Sequence, residues 1–544
     1  MTTGGPARMA AAAVLVLALT ILVTWPQAPQ MASMLSPHFD AQFSIWRLAW
    51  IAHALATAPT RIFDANIFYP APRTLAYSDA TMLQGLLGAP LFWAGVSPVF
   101  IYNTMLFAGY AASGLALFLL MRHLSGSTEA SLVAAAIFTV LPYRTEHFMH
   151  LEMQWAVFVP LTLWAMHRAV EQGSLRYGAL AGVFVWLQVL SCVYYGVFLA
   201  IWLAFFAPAL VLLTAHATFR MKTAAVAVAA GVALVLVVPF AMPYVAATQD
   251  IGFRPDFEIA RYSAMPINYL AAPAVNRVWG WTADRFGSTE LRLFPGLTAL
   301  LLAAAGMLAR PRRLVAVYAV LALVAIGFSL GTNNPAYSFL ISHISMLRGF
   351  RSMSRFGVLT GCAVAVLAGF GMKTVLERAG SNQGRRTLIT GLVIALIAVE
   401  AANHPLPLEH GSPAETPDVY RVLRSAPPGA VLEMPVPRLN ALPGYDPAYQ
   451  TWALWHWKPL VNGYSGYYPH DYINTIIRME VFPENSSINR LRAHGVRYVI
   501  VHRQLYEPER LENLMLRISG RPELKLWGSY RDPLGMADLF ELTD

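Results

Sequence analysis

The sequence predicts an α-helical polytopic membrane protein with about eleven transmembrane helices, followed by an α/β or α+β domain outside the membrane. Three observations carry this. Of 544 residues, 56% are hydrophobic and 13% charged, against about a quarter charged in a soluble domain. Apolar stretches of membrane-spanning length recur along the chain, with basic residues in the short loops between them. From about residue 402 the composition turns richer in proline and charge.

The first apolar stretch, AAAVLVLALTILVTW after Arg8, reads as a retained helix, because no small-x-small cleavage site follows it. Spans are expected near 9–25, 98–121, 128–142, 154–167, 176–192, 194–215, 223–244, 293–309, 313–331, 355–373 and 387–401. Several are short for a bilayer and call for tilt or thinning. Segment 81–96 is interrupted by the Gly and Pro of GAPLFWAGVSP. Counting it as a span would move every later basic loop to the outside, so it is read as an interfacial or re-entrant helix.

With that choice the loops holding Arg122, Arg168 and Arg176, Arg220 and Lys222, Arg310 to Arg313, and Lys373 to Arg386 face the cytoplasm, as does the N-terminus. The opposite loops are 26–97, 143–153, 245–292 and 332–354, together with the tail. The expected domains are 1–401 in the membrane, including first outer loop 26–97 with its interfacial helices, and 402–544 outside. The tail's strand-like runs AVLEMPV, VRYVIVHR and LKLWGSY alternate with helical stretches such as PERLENLMLRI. The net charge of +9 resides in the loop edges, which sets orientation, and no nucleic-acid partner is expected. Cys192 and Cys362 lie in apolar segments, and neither a disulfide nor a metal site is expected of them.

Ionisable residues gather at the outer edge. Asp40 follows the first span, and AQFSIWRLAWIAHAL after it has helical apolar spacing, which places its Trp residues at headgroup depth. There Asp40 could accept a proton or bind a cation; equally, it could cap the helix. The second outer loop, PYRTEHFMHLEMQW, holds Arg144, Glu146, His147, His150 and Glu152. His147 and His150 could share a helical face, and His150 with Glu152 could meet a metal ion, although no strong zinc spacing is present. The alternative is an interfacial loop with ordinary charge pairing. In LRGFRSMSRF, Arg348, Arg351 and Arg355 sit outside against the positive-inside trend. Such guanidinium groups suit a phosphate, or else snorkel to lipid headgroups.

This layout resembles the GT-C superfamily of membrane glycosyltransferases. The resemblance rests on HFDAQFSIW, which places an acid just after the first helix, on HLEMQ in the second outer loop, and on FYPAPRTLAYSD and RGFRSMSRF. It implies a bacterial inner-membrane enzyme that moves a sugar from a polyprenyl-phosphate donor to an outer glycan, lipid or protein acceptor, with inversion. On this resemblance Asp40 is the general base, Asp79 assists it or orients substrate, and Arg348, Arg351 and Arg355 hold the phosphate. Arg144, His150 and Glu152 are expected to bind substrate, and Trp279 and Trp281 to stack on sugar or prenyl chain. No cofactor is certain; a divalent cation on Asp40 and Glu152 is one option, with metal dependence in question because the second loop lacks a D-x-D or D-x-E pair. The tail lacks the WWD-type motif of oligosaccharyltransferases, which disfavours transfer to an Asn sequon. Rival readings are a transporter or polymerase-like protein for lipid-linked glycans, or an inactive scaffold whose tail, with its aromatic cluster WHWKPLVNGYSGYYPHDY, does the work.

Overall fold

The computed structural model describes residues 5–411 and 415–543. Its first nine helices are α1 (Gly5–Val23), α2 (Phe39–Thr57), α3 (Met82–Trp93), α4 (Pro98–Ser125), α5 (Thr128–Thr139), α6 (Pro142–Glu146), α7 (Phe158–Gln172), α8 (Leu175–Ser191) and α9 (Val193–Leu213). Then come α10 (Phe219–Ile251), α11 (Asp256–Arg261), α12 (Ala283–Phe286), α13 (Leu297–Gly306), α14 (Arg312–Ser329), α15 (Pro335–His343), α16 (Gly357–Arg378) and α17 (Gln383–Ala401). The tail adds α18 (Asp418–Ser425), α19 (Asp446–Trp452), α20 (His470–Met479), α21 (Asn485–Ala493) and α22 (Pro508–Ser519). Two short strands, β1 (Met34–Leu35) and β2 (Glu409–His410), pair with each other. The strands β3 (Ala430–Met434), β4 (Val496–His502), β5 (Leu524–Asp532) and β6 (Gly535–Leu542) form a sheet of order β3-β4-β6-β5.

Each expected span is occupied by a helix. Six of them, α1, α4, α9, α10, α14 and α16, are long and apolar enough to cross a membrane by length and composition. The chain is a multi-pass membrane protein. The remaining five are shorter or, like α17, open on arginines. A helix of 10 residues such as α13 rises only about 15 Å, half of a hydrocarbon core of about 30 Å.

Contacts divide the chain into two compact units. The first comprises Met1–Met31, Asn103–Phe240 and Phe253–Leu408. At its centre α16 is buried along almost its whole length, with α5, α13 and α14 packed on it. Small residues make this possible: a Cβ on Gly306 would meet the Leu367 carbonyl, and one on Gly371 the Leu302 carbonyl. The helix backbones of α13 and α16 therefore approach directly, the usual solution where lipid supplies no hydrophobic drive.

The second unit comprises Ala32–Tyr102, Ala241–Gly252 and Glu409–Asp544, so it joins the segment after α1 to the tail. Its sheet is mixed, β3 parallel to β4 and the rest antiparallel. The edge of β3 does not stay open. Residues 459–461 bond to Val431, and Asn66, Phe68 and Tyr69 bond in turn to Leu460 and Asn462. The loop thus extends the tail's hydrogen-bonded edge, a recognised way to protect an edge strand.

In the same unit α3 packs on α2, where a Cβ on Gly85 would strike the Ile51 side chain. With 12 residues, α3 is shorter than the helices long enough to cross a membrane. One expectation for α2 is corrected. Trp46 and Trp50 are buried, their indole N–H groups donating to Asn66 and to the Ile62 carbonyl. They face protein rather than headgroups, because a buried indole needs a partner for its N–H and the loop supplies one.

Candidate functional site

Two polar clusters, one in each unit, hold most of the expected residues. In the second unit Asp40 sits in the first turn of α2, and the helix is capped by His38, whose Nδ1 accepts the Asp40 N–H at 3.2 Å. The capping role open to Asp40 is therefore taken, and its carboxylate meets side chains instead. The Tyr464 hydroxyl donates to Asp40 Oδ1 at 2.8 Å, and His38 Nδ1 lies 3.3 Å from Oδ2. Phe39 and Phe43 pack edge-on against the Tyr464 ring, and its backbone N–H donates to Gln450.

Asp79 is tied to the same helix indirectly. Arg47, almost fully buried, donates to the Asp79 carbonyl and, at 2.8 Å, to Ser44 Oγ. Ser44 donates in turn to the Asp40 carbonyl at 2.8 Å. The Asp79 carboxylate accepts the Thr81 N–H at 3.3 Å, and Thr81 adopts a left-handed backbone with φ 50°.

The first unit holds the second cluster. Arg144 is buried, with its guanidinium over the Tyr110 ring at 4.2 Å. It donates to the carbonyls of Gln154 at 2.7 Å, Gly109 at 3.2 Å and Phe138 at 3.3 Å. These bonds staple the second loop to its flanking helices and account for Arg144 without a substrate. Gln154 donates to the carbonyls of His147 and Arg144 and so fixes the turn. That turn brings His147 Nδ1 and His150 Nδ1 to 3.4 Å.

Glu290 completes this group. The ligand-capable atoms of His147, His150 and Glu290 all lie within 4.8 Å of one another. A tetrahedral ion with metal–nitrogen bonds of about 2.0–2.1 Å sets its ligands about 3.4 Å apart, so the two histidines already have that spacing. Glu290 has φ 73°, a left-handed conformation uncommon for a residue with a side chain. Burial would raise its pKa, but the charge of Arg355 and the two imidazoles outweigh that and hold the carboxyl well below the usual range. Arg355 donates to it at 2.9 and 3.3 Å.

The three arginines expected to hold a phosphate each have an acidic partner. Arg355 is with Glu290, Arg351 with Glu258 at 3.1 Å, and Arg348 lies 3.5 Å from Asp256. Arg254 also binds Glu258. An acid partner for each was not expected, because loop 245–292 shows no motif beyond scattered charge. Glu152 is buried in a short turn, and its carbonyl accepts the Trp155 N–H. Six residues earlier, Glu146 is bonded to Arg292 at 2.9 Å; burial pushes its pKa up to about 7 against that pairing. Trp279 donates to Glu400 at 2.9 Å, which also accepts from the N-terminal amides of α13, so Trp279 anchors structure. Trp281 is exposed.

No protein-family model matches the chain, and a search of curated proteins returns no match. Solved structures do match. The archaeal oligosaccharyltransferase AglB from Archaeoglobus fulgidus, in complex with an inhibitory peptide and a dolichol-phosphate, is 13% identical with a TM-score of 0.53. The match covers 98% of this chain and 74% of that one. The arabinofuranosyltransferase AftD from Mycobacteria is 15% identical with a TM-score of 0.60, over 98% of this chain and 40% of that one. A mutant form of AftD gives 14% and 0.62, over 98% and 41%. The chain thus spans about two fifths of AftD. It shares the GT-C fold of these glycosyltransferases.

Proposed function

We propose that this chain, built on the GT-C fold, is a membrane glycosyltransferase that moves a sugar from a polyprenyl-phosphate donor to an acceptor hydroxyl on the outer face of a bacterial plasma membrane. The observation that carries the reading is the placement of Asp40, a carboxylate in the first turn of the helix after α1, oriented by Tyr464. The dolichol-phosphate in the AglB structure supports a lipid-phosphate donor for the fold.

In this reading Asp40 takes the proton of the acceptor hydroxyl as its oxygen attacks the anomeric carbon. The bond from that carbon to the phosphate oxygen breaks, its electron pair leaves on the phosphate, and configuration inverts. General-base assistance of this kind is worth roughly 10²–10⁴-fold. A polyprenyl phosphate is a stable anion and needs charge stabilisation rather than a proton. Within the first unit, Arg351 and Arg348 keep side chains 33% and 37% exposed. Arg355 is committed to Glu290 and positions that carboxylate. The backbone carbonyl of Asp79 meets the start of α2 through Arg47, and Trp281 offers an exposed ring for a sugar or prenyl chain. A divalent cation fits His147, His150 and Glu290 and would supply positive charge there.

The test compares lipid-linked sugars and envelope glycans by mass spectrometry in cells with and without the protein. Accumulation of one polyprenyl-phosphate sugar with loss of one glycan modification is expected. Unchanged profiles for both pools would refute a transferase role.

A further inference from the structure

A second polar cavity lies within the first unit, formed by helix ends that play no part in the proposed reaction. It measures about 680 Å³ and is lined by Arg8, Arg122, Lys373 and Arg386, with Glu129 and Glu377 as its carboxylates. The cations come from four different helices: the first turn of α1, the last turn of α4, the C-terminal part of α16 and the first turn of α17. Glu129 is already engaged by the Ser127 hydroxyl at 2.8 Å, by Gln383 at 3.4 Å and by Arg386 at 3.5 Å. Among the described residues, Arg8, Arg122 and Lys373 form no side-chain ion pair, and Glu377 is exposed. The lining therefore carries an excess of positive charge. The α5 N-terminus opens on the same cavity at Ser127 and Thr128 and adds its positive dipole end.

What borders the cavity identifies the class of anion. Directly after Arg386, α17 exposes Leu388, Leu392 and Leu396, one turn apart along a single face. Beyond Arg8, α1 exposes Val14 and Leu17. A cationic cavity whose Arg8 and Arg386 come from helices with exposed apolar faces matches a molecule with a phosphate head and acyl tails. Basic pockets between membrane helices bind such headgroups through charge and bidentate guanidinium contacts.

We propose that this cavity is a binding site for the phosphate headgroup of an anionic phospholipid, its chains lying along α17 and α1. The loops that build it, around Arg122 and from Lys373 to Arg386, are those that charge placement assigns to the cytoplasmic side. The site is distinct in residues and in chemistry from the clusters around Asp40 and Glu290.

The full-length protein, purified in neutral detergent, would be titrated with phosphatidylglycerol or phosphatidylcholine while thermal unfolding and bound lipid by native mass spectrometry are read. The expected result is retention of phosphatidylglycerol and a rise in unfolding temperature, with no response to phosphatidylcholine. Arg122→Gln with Lys373→Gln should weaken phosphatidylglycerol binding at least tenfold. Arg310→Gln with Arg312→Gln, in a basic loop outside the cavity, should leave it unchanged. If that control weakens binding equally, the effect is general surface charge and the proposal fails. If inorganic phosphate competes as well as the lipid does, the site takes free phosphate and the lipid assignment fails. If the double variant does not fold, Leu392→Gln, which keeps every cation, must weaken lipid retention while leaving phosphate competition absent. Undiminished retention in that variant would overturn the placement of the chains.

Discussion

The Tyr464 hydroxyl donates to Asp40 Oδ1 at 2.8 Å, joining residues 424 positions apart in one compact unit. The tail's aromatic cluster therefore reaches the carboxylate of the first outer loop. Asp40→Asn should abolish sugar transfer while expression and membrane insertion stay normal. Tyr464→Phe should lower kcat about 3- to 30-fold with little change in KM, because the base is misplaced rather than removed. Full turnover by purified Asp40→Asn protein would end the base assignment.

Glu290 and Arg355 form a buried pair whose side chains are 12% and 7% exposed. Removing one partner of such a pair leaves an uncompensated charge and costs roughly 3–5 kcal/mol. Glu290→Gln should accordingly lower the unfolding temperature sharply, and adding Arg355→Met should restore part of the loss. Thermal unfolding of the purified single and double variants checks this; an undamaged single variant would show that the pair carries little stability.

The 3.4 Å spacing of the His147 and His150 Nδ1 atoms beside Glu290 predicts cobalt or zinc binding. Cobalt should give a visible absorption band and stabilise the protein, by about 2.7 kcal/mol at a hundred times its Kd. His150→Ala should remove both signals. A band that survives His150→Ala would place the ion elsewhere.

In the tail, His502 lies fully buried between Glu433 at 2.7 Å and Asp532 at 2.6 Å. Burial alone would lower its pKa, but hydrogen bonds to both carboxylates raise it to about 9. A folded-state pKa above the unfolded value of about 6.5 means stability fully present below pH 6.5 and lost as pH climbs through about 9. Hydrogen exchange on β3 and β4 in the full-length protein should accelerate across pH 6.5–9 beyond the intrinsic rate increase. In His502→Gln that added dependence should vanish.

For topology, both native cysteines are buried, so introduced thiols give a clean signal. Lys525→Cys should label in intact spheroplasts, and Gly380→Cys only after lysis. Labelling in the opposite order would reverse the membrane map.

A helix at each of the eleven expected places was legible because an apolar run and its flanking charges are local properties of the chain. The tail's strands β3, β4 and β5 were legible for a similar reason, as short alternating or apolar runs. Asp40 and the arginines stood out in the sequence as unusual charges in the loops between apolar segments. Their partners did not. Arg144 looks the same in sequence whether it meets substrate or, as here, the carbonyls of Gly109, Phe138 and Gln154.

By itself the sequence determined how much chain is apolar, roughly where the long helices lie, and that Asp40 follows the first of them. Tertiary structure alone decided that His38 rather than Asp40 caps α2, that Tyr464 bonds Asp40, and that Glu290 joins His147, His150 and Arg355. The physical reason is separation along the chain. Hydropathy and helix capping act within a few residues, whereas hydrogen bonds and ion pairs are chosen by which buried polar groups the packed helices and loops bring within about 3 Å.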